Sequence, residues 1–349
     1  MRLARGLFFL AGAAALTACS SGGGDDDGNG FIPGLPKPQS YRAQLTRTEY
    51  GIPHISADDW GSLGFGHGYA FAQDSLCQLM EDIIRANGRS MELLPVGRGD
   101  EASDFLYTLI NDNTDNRLRT EYLSQQPQYV LNLVAGYAAG FNKYLDDTGV
   151  ANLPQTDPNC RGASWVRAID DIDLWKYFRL IQLQAGMGQS IVKQALMDVS
   201  GPDLVSQGVT IDPQEITNLK QLERQLLLPS GGSNGIALGR DATQNATGML
   251  LGNPHQPWQG AGSFYQVHLT IPGEYDAMGA ALKGFPKIAI GFNKDLAWTH
   301  TVSIANRFSL FELKLKPANP LRYLVDGEEK TIQPEIVTIQ LRQPDNSLV

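Results

Sequence analysis

Apolar positions in the first two thirds of the chain recur mostly at helical spacing. In "GHGYAFAQDSLCQLMEDIIRANG" (66–88), Leu76, Leu79, Met80, Ile83 and Ile84 fall on one face before Gly88, which predicts a helix ending there. The same period predicts helices over 129–146, 171–199 and 213–227, the last with Pro213 at its start. Before them, "QLTRTEYGIPHI" (44–55) alternates well enough for a strand bent at Gly51 and Pro53. After Pro229 the texture changes. Short apolar runs stand between Gly, Pro and Asn: "GIALG", "GMLLGN", "SFYQVHLTIPG", "KIAIGF", "DLAWTHTV", "SLFELKLK" and "EIVTIQL". They predict strands, so the chain reads as α+β, a mainly helical N-terminal part followed by a β-rich part.

The first residues have a different pattern. Arg2 and Arg5 precede an eleven-residue apolar run from Gly6 to Leu16, too short to span a bilayer and shaped like an export signal over 1–18. Leu16-Thr17-Ala18-Cys19 resembles a lipobox, in which Cys19 would carry lipid, and a plain secretory signal is the simpler alternative. The tether to Ser40 is rich in Gly, Ser, Asp and Pro and cannot bury apolar surface. These features predict a periplasmic or envelope location, with the membrane reached only through the lipid anchor.

Composition narrows the function classes. The chain has 349 residues, 42% of them hydrophobic, and a formal charge of −9. That suits a globular body, and no basic run interleaved with aromatics supports a nucleic-acid partner. Beyond Cys19 only Cys77 and Cys160 remain, so one disulfide is open to the protein, although the spacing does not demand it. Cys77 sits among apolar helix positions and is expected simply to be buried. His54, His67, His255, His268 and His300 show no H-E-x-x-H or Cys-x-x-Cys spacing, so no metal and no cofactor is expected.

The candidate chemistry lies in "GGSNG" at 231–235, which admits two readings. It matches G-x-S-x-G, the nucleophile elbow of α/β-hydrolases, but that turn needs a strand before the serine and a helix after it. Here the order is reversed. The other reading cuts the Gly232–Ser233 bond and leaves Ser233 as a new N-terminus. Its free α-amine, with a reference pKa of about 7.7–8.0, is then a base for its own hydroxyl without any histidine. Glycine at 232 tolerates the backbone distortion that self-cleavage requires.

Four blocks decide between the readings: "YGIPHISADD", "GFGHGYAFAQDSLCQLMEDIIRANGRS", "GGSNGIALGRDATQNATGMLLGNPHQPW" and "GFPKIAIGFNKDLAWTHTV". Together, and in this order, they resemble the penicillin amidase family of N-terminal nucleophile hydrolases, most of all its acyl-homoserine-lactone acylase and aculeacin acylase branch. The resemblance implies an αββα sandwich and a precursor matured into a heterodimer. The small chain would run over 41–206, a spacer over 207–232, and the large chain from 233. It further implies Ser233 as nucleophile and base, His255 as a group beside the Ser233 amine or hydroxyl, and the Val302 N–H as one oxyanion donor. Penicillin G-type members carry glutamine at the His255 position, and their calcium-binding acidic residues have no counterpart in "VSIANRFS". Acyl-pocket positions match Gln256, Phe285 and Thr301, with Gln256 departing from the usual aromatic. The family's second oxyanion donor, an asparagine, has no matching segment before Val349, so the chain reads as truncated and the sandwich as incomplete. Unless Asn306 or a nearby N–H substitutes, little amide turnover is expected.

The predicted function is therefore removal of an acyl chain from a small-molecule amide, with an N-acyl-homoserine lactone as the first substrate class and penicillins or lipopeptides as alternatives. An α/β-hydrolase esterase and a non-catalytic lipoprotein or inactive fragment are the competing classes.

Overall fold

A computed structural model of the chain describes residues 40–111, 118–155, 159–185, 232–301, 313–333 and 336–349. The export signal, Cys19, most of the tether, the helix predicted at 213–227, the spacer up to residue 231, Val302 and Asn306 lie outside the described residues.

The longest helix, α1 (Trp60–Ala86), starts where the Asp59 carboxylate accepts the Ser62 N–H at 2.9 Å. After the short α2 (Ser90–Leu93) and α3 (Glu101–Asn111), α4 (Gln128–Thr148) lies across α1, and α5 (Asp171–Ala185) follows. The α1–α4 crossing is a contact of backbones. A Cβ on Gly64 would stand 2.0 Å from the Leu133 carbonyl oxygen, and one on Gly68 2.0 Å from that of Tyr137. Reciprocally, Cβ atoms on Gly136 and Gly140 would meet the Gly61 and Phe65 carbonyl oxygens at 1.9 Å. No side chain fits there, so glycine on both helices sets the spacing.

Helical core residues, including Phe71, Leu79, Met80, Ile83, Tyr107, Tyr137, Phe141 and Tyr177, pack behind this crossing. Cys77 and Cys160 are bonded within it, their Cα atoms 5.4 Å apart. Cys77 is thus buried, as its apolar neighbours predict, but as half of a disulfide. Its partner comes from 83 residues away, a distance that helical periodicity does not see.

Eleven strands form among the described residues: β1 (Ala43–Arg47), β2 (Pro53–Ala57), β3 (Ser233–Leu238), β4 (Met249–Pro254), β5 (Phe264–Ile271) and β6 (Tyr275–Leu282), then β7 (Ile290–Phe292), β8 (Ala297–Trp298), β9 (Lys314–Lys316), β10 (Asn319–Val325) and β11 (Glu328–Thr331). The main sheet runs β1-β2-β5-β6-β7-β8, and β3-β4 and β9-β10-β11 form smaller sheets. Alternation puts Ile55, Ala57, Val267, Leu269, Ile271, Ala277 and Ala281 under α1 as a second core. The architecture is α+β, with helices on one face of a mixed sheet.

Several predicted elements differ. The strand expected at 44–55 is the hairpin β1–β2, because Glu49–Gly51 reverses the chain, with positive φ at Tyr50 and Gly51, instead of bending it. "EIVTIQL" forms no strand over 336–341, since alternation specifies a half-buried face and not a partner to pair with. Strand β6 carries no alternation signal, because "YDAMGAAL" is rich in small residues and is held by pairing along its whole length with β5. Helix α3 and strands β10 and β11 also escaped the periodicity.

Only β2 and β5 pair in parallel in the main sheet, joining the part before Ser233 to the part after it. At this seam His54 lies opposite His268, their Nδ1 atoms 2.9 Å apart, and the His268 Nε2 meets the Asp276 carboxylate at 2.7 Å. On the helical side, Arg47 pairs with Asp74 of α1 at 2.9 Å, and the Tyr265 hydroxyl donates to the same carboxylate at 2.7 Å.

His67 is buried between these layers, stacked on Tyr265 and edge-on to Tyr137, with its Nδ1 unpartnered. Burial lowers its pKa to about 4, and a hydrogen bond to the Pro286 carbonyl offsets this only in part. Its folded pKa lies below the ordinary value of about 6.5, so the unfolded chain binds the proton first. Stability should be complete above about pH 6.5 and fall by about 3 kcal/mol as pH drops towards 4. Denaturant melts across this range will check it, and His67→Phe should flatten the slope. The disulfide closes a loop of 83 residues, for which chain entropy alone gives about 4–5 kcal/mol. Replacing Cys77 and Cys160 by serine should lower the calorimetric Tm by several degrees.

Candidate active site

Ser233 is the first residue of β3, and Pro254, the last of β4, lies opposite it. Through this pairing the hairpin brings His255, which follows β4, beside the Gly232–Ser233 peptide across 22 residues of sequence. The Ser233 hydroxyl donates to the Gly232 carbonyl oxygen at 2.5 Å. The backbone N–H of His255 donates to that same oxygen at 2.8 Å and lies 3.4 Å from Ser233 Oγ. A hydroxyl oxygen thus sits against a carbonyl whose own oxygen already has a backbone donor.

The His255 imidazole is turned along the same edge. Its Nε2 accepts from the Asn253 side-chain amide at 3.1 Å, and its Nδ1 lies 3.6 Å from where a Cβ on Gly232 would be. The resemblance assigned His255 through its side chain. The structure gives an equal place to its main chain, which no side-chain motif can signal.

Other expected positions are distributed unequally. Gln256 is half-buried, its Oε1 near Gly262, and the exposed Thr301 has its methyl 4.0 Å from a Cβ built on Gly235. Phe285 instead packs edge-to-face on Phe178 at 4.8 Å, against the helical core. Sequence reasoning missed Asn253, although "GNPHQPW" places it two residues before His255, and Thr299, which abuts both strands of the hairpin. Among the described residues no group of three or more His, Cys, Asp or Glu is arranged to hold a metal ion.

The model of the penicillin amidase family matches residues 42–349. The chain belongs to the penicillin amidase family. Within it, the chain is 40% identical over 313 residues to the acyl-homoserine lactone acylase PvdQ of Pseudomonas fluorescens (strain Pf0-1), covering 88% of this chain and 39% of that protein. It is 41% identical over 312 residues to the aculeacin-A acylase of Actinoplanes utahensis, covering 86% and 38%. Among solved structures, a thermostable penicillin G acylase from Alcaligenes faecalis matches at 23% identity with a TM-score of 0.33, covering 50% of this chain and 98% of that one. The chain thus spans about two fifths of the length of these two acylases.

Proposed function

We propose that this penicillin amidase family member is an acylase that cleaves its own chain before Ser233 and then removes acyl groups from small-molecule amides, N-acyl-homoserine lactones first among them. The observation that carries this reading is the Gly232–Ser233 geometry, with Oγ 2.5 Å from the carbonyl oxygen and the His255 N–H donating to that oxygen. The family relatives supply the substrate class, being acylases of homoserine lactones and of aculeacin A by name.

In maturation, Ser233 Oγ bonds to the Gly232 carbonyl carbon and gives up its proton. Negative charge develops on the Gly232 oxygen, where the His255 N–H stabilises it. Collapse breaks the Gly232–Ser233 C–N bond, and the nitrogen takes a proton to become the free α-amine. Water then hydrolyses the resulting ester. In turnover the freed amine, a group whose reference pKa is about 7.7–8.0, accepts the Oγ proton as the hydroxyl attacks the substrate carbonyl and returns it to the leaving amine, and water, giving a proton to the same amine, then hydrolyses the Ser233 ester and releases the acyl group as its acid. The Val302 N–H is our candidate for one oxyanion donor in that second reaction.

The mature protein would be a heterodimer held in part by the β2–β5 seam, and export fits the Cys77–Cys160 disulfide, which persists in oxidising compartments. Cys19 is our candidate for the lipid anchor.

Intact-mass analysis of purified protein should show two chains, one beginning at Ser233, and Ser233→Ala should remain single. Normal cleavage of Ser233→Ala would defeat the self-cleavage reading. Release of homoserine lactone from an N-acyl-homoserine lactone tests the substrate class, and a preference for penicillin G would shift it to β-lactams. The donor role separates main chain from side chain. His255→Ala keeps the N–H and should still cleave, whereas His255→Pro removes it and should slow cleavage by about 10²–10³-fold. Equal losses in the two variants would assign the role to the imidazole instead.

A further inference from the structure

The β2–β5 seam carries a pair of histidines whose hydrogen bonds can be counted proton by proton. His54 of β2 lies opposite His268 of β5, the rings edge-on and their Nδ1 atoms 2.9 Å apart. Each ring uses its other nitrogen elsewhere. The His268 Nε2–H donates to the Asp276 carboxylate at 2.7 Å, and the Thr270 hydroxyl donates to the same oxygen at 3.2 Å. The bond from His268 holds the Asp276 carboxyl below the usual carboxylate range, so the acceptor is ionised. The His54 Nε2 faces the Thr48 hydroxyl at 3.0 Å, a group that can either donate or accept. On the neighbouring strands, Thr46 of β1 stands opposite His54 and Met278 of β6 opposite His268, and neither titrates. Arg47 turns instead to α1, where Asp74 and Gln73 hold it. Among the described residues, Asp276 is the charged group hydrogen-bonded to the pair.

The contact between the two Nδ1 atoms has room for one hydrogen. With both rings neutral, Thr48 donates to His54 Nε2, His54 Nδ1–H donates to His268 Nδ1, and His268 Nε2–H donates to Asp276, so every ring nitrogen has a partner. One added proton reverses only the Thr48 bond. His54 Nε2–H then donates to the Thr48 oxygen, the hydrogen between the rings stays, and the Asp276 charge offsets the new one. A second added proton has no such place. Both Nδ1 atoms would carry hydrogen, and two N–H groups of like-charged rings would face each other across 2.9 Å. We propose that the His54–His268 pair is a one-proton latch on the β2–β5 seam, closed with no added proton or with one and forced open by a second. Acid then weakens the joint between the parts of the chain before and after Ser233. The latch is independent of the acylase reading, since β2 and β5 pair in the uncut chain.

Linkage counts the protons. On these two histidines the unfolded chain takes up two protons where the closed seam takes one, so the latch stabilises the fold at neutral pH and this contribution is lost as pH falls. In the acid range where a free histidine is charged, the unfolding equilibrium constant gains up to about tenfold per pH unit from this one-proton difference. The full chain carrying Ser233→Ala is to be unfolded in denaturant at pH 8, 6 and 5, with and without His54→Gln. Glutamine can donate to His268 Nδ1 or accept from it, but it binds no proton. Between pH 6 and pH 5 the unfolding constant should rise about five- to tenfold more in the parent than in His54→Gln, and the contribution of His67, present in both, cancels. Equal pH dependence in the two proteins would overturn the inference. Should His54→Gln not fold, nitrogen-15 spectra of the histidine-labelled parent at pH 5 decide the matter. The four ring nitrogens of His54 and His268 should carry three hydrogens between them, and four in the folded protein would overturn the latch. A two-chain product from Ser233→Ala would count against the self-cleavage reading instead, and a gel shows it separately.

Discussion

Contact between α1 and α4 at the level of their backbones is the constraint from which the rest of the structure follows. Carbonyl oxygens of Gly61, Phe65, Leu133 and Tyr137 occupy the places where Cβ atoms of the facing glycines would be. Closing the helices this far lets one helix, α1, present two buried faces at once. Tyr137, Phe141 and the α5 aromatics cover one, and the main sheet covers the other. Any side chain at these positions would move α1 away from α4, and with it the surface on which β2, β5 and β6 lie.

The sheet under α1 is built from both sides of Ser233. Strands β1 and β2 precede the serine by nearly two hundred residues, whereas β5 to β8 follow it, and the β2–β5 pairing stitches them. A cut before Ser233, as proposed, would therefore leave a sheet whose strands come from two chains. The polar groups at the seam, His54, His268 and Asp276, lie on the face away from α1, while the apolar residues alternating with them are buried beneath it. The disulfide acts elsewhere, between α1 and the loop around Cys160, wholly within the part before the serine.

At the site, the β3–β4 hairpin does most of the positioning. Its register brings the His255 main chain to the Gly232 carbonyl, and its one side-chain-free rung receives Thr299. The Ser233 hydroxyl and the donor to the Gly232 carbonyl are thus both placed by the register of one hairpin.

Much of this was legible in the residues alone. The period of Leu76, Leu79, Met80, Ile83 and Ile84 specifies α1, because burial of one helical face is a local demand on the sequence. The apolar runs around Gly235 and Gly252 predict β3 and β4, although Ile236, Leu238, Met249 and Leu251 stay exposed there. What the residues could not reveal is who meets whom. The Cys77–Cys160 bond, the His54–His268 pair, the placement of Phe285 on Phe178 and the contact of Thr299 with Gly235 and Gly252 join positions tens to hundreds of residues apart. Periodicity tells a residue which way to face, and only packing in three dimensions decides what it faces. The His255 N–H belongs to the second kind, since every residue but proline carries that donor and register alone delivers it to the Gly232 oxygen.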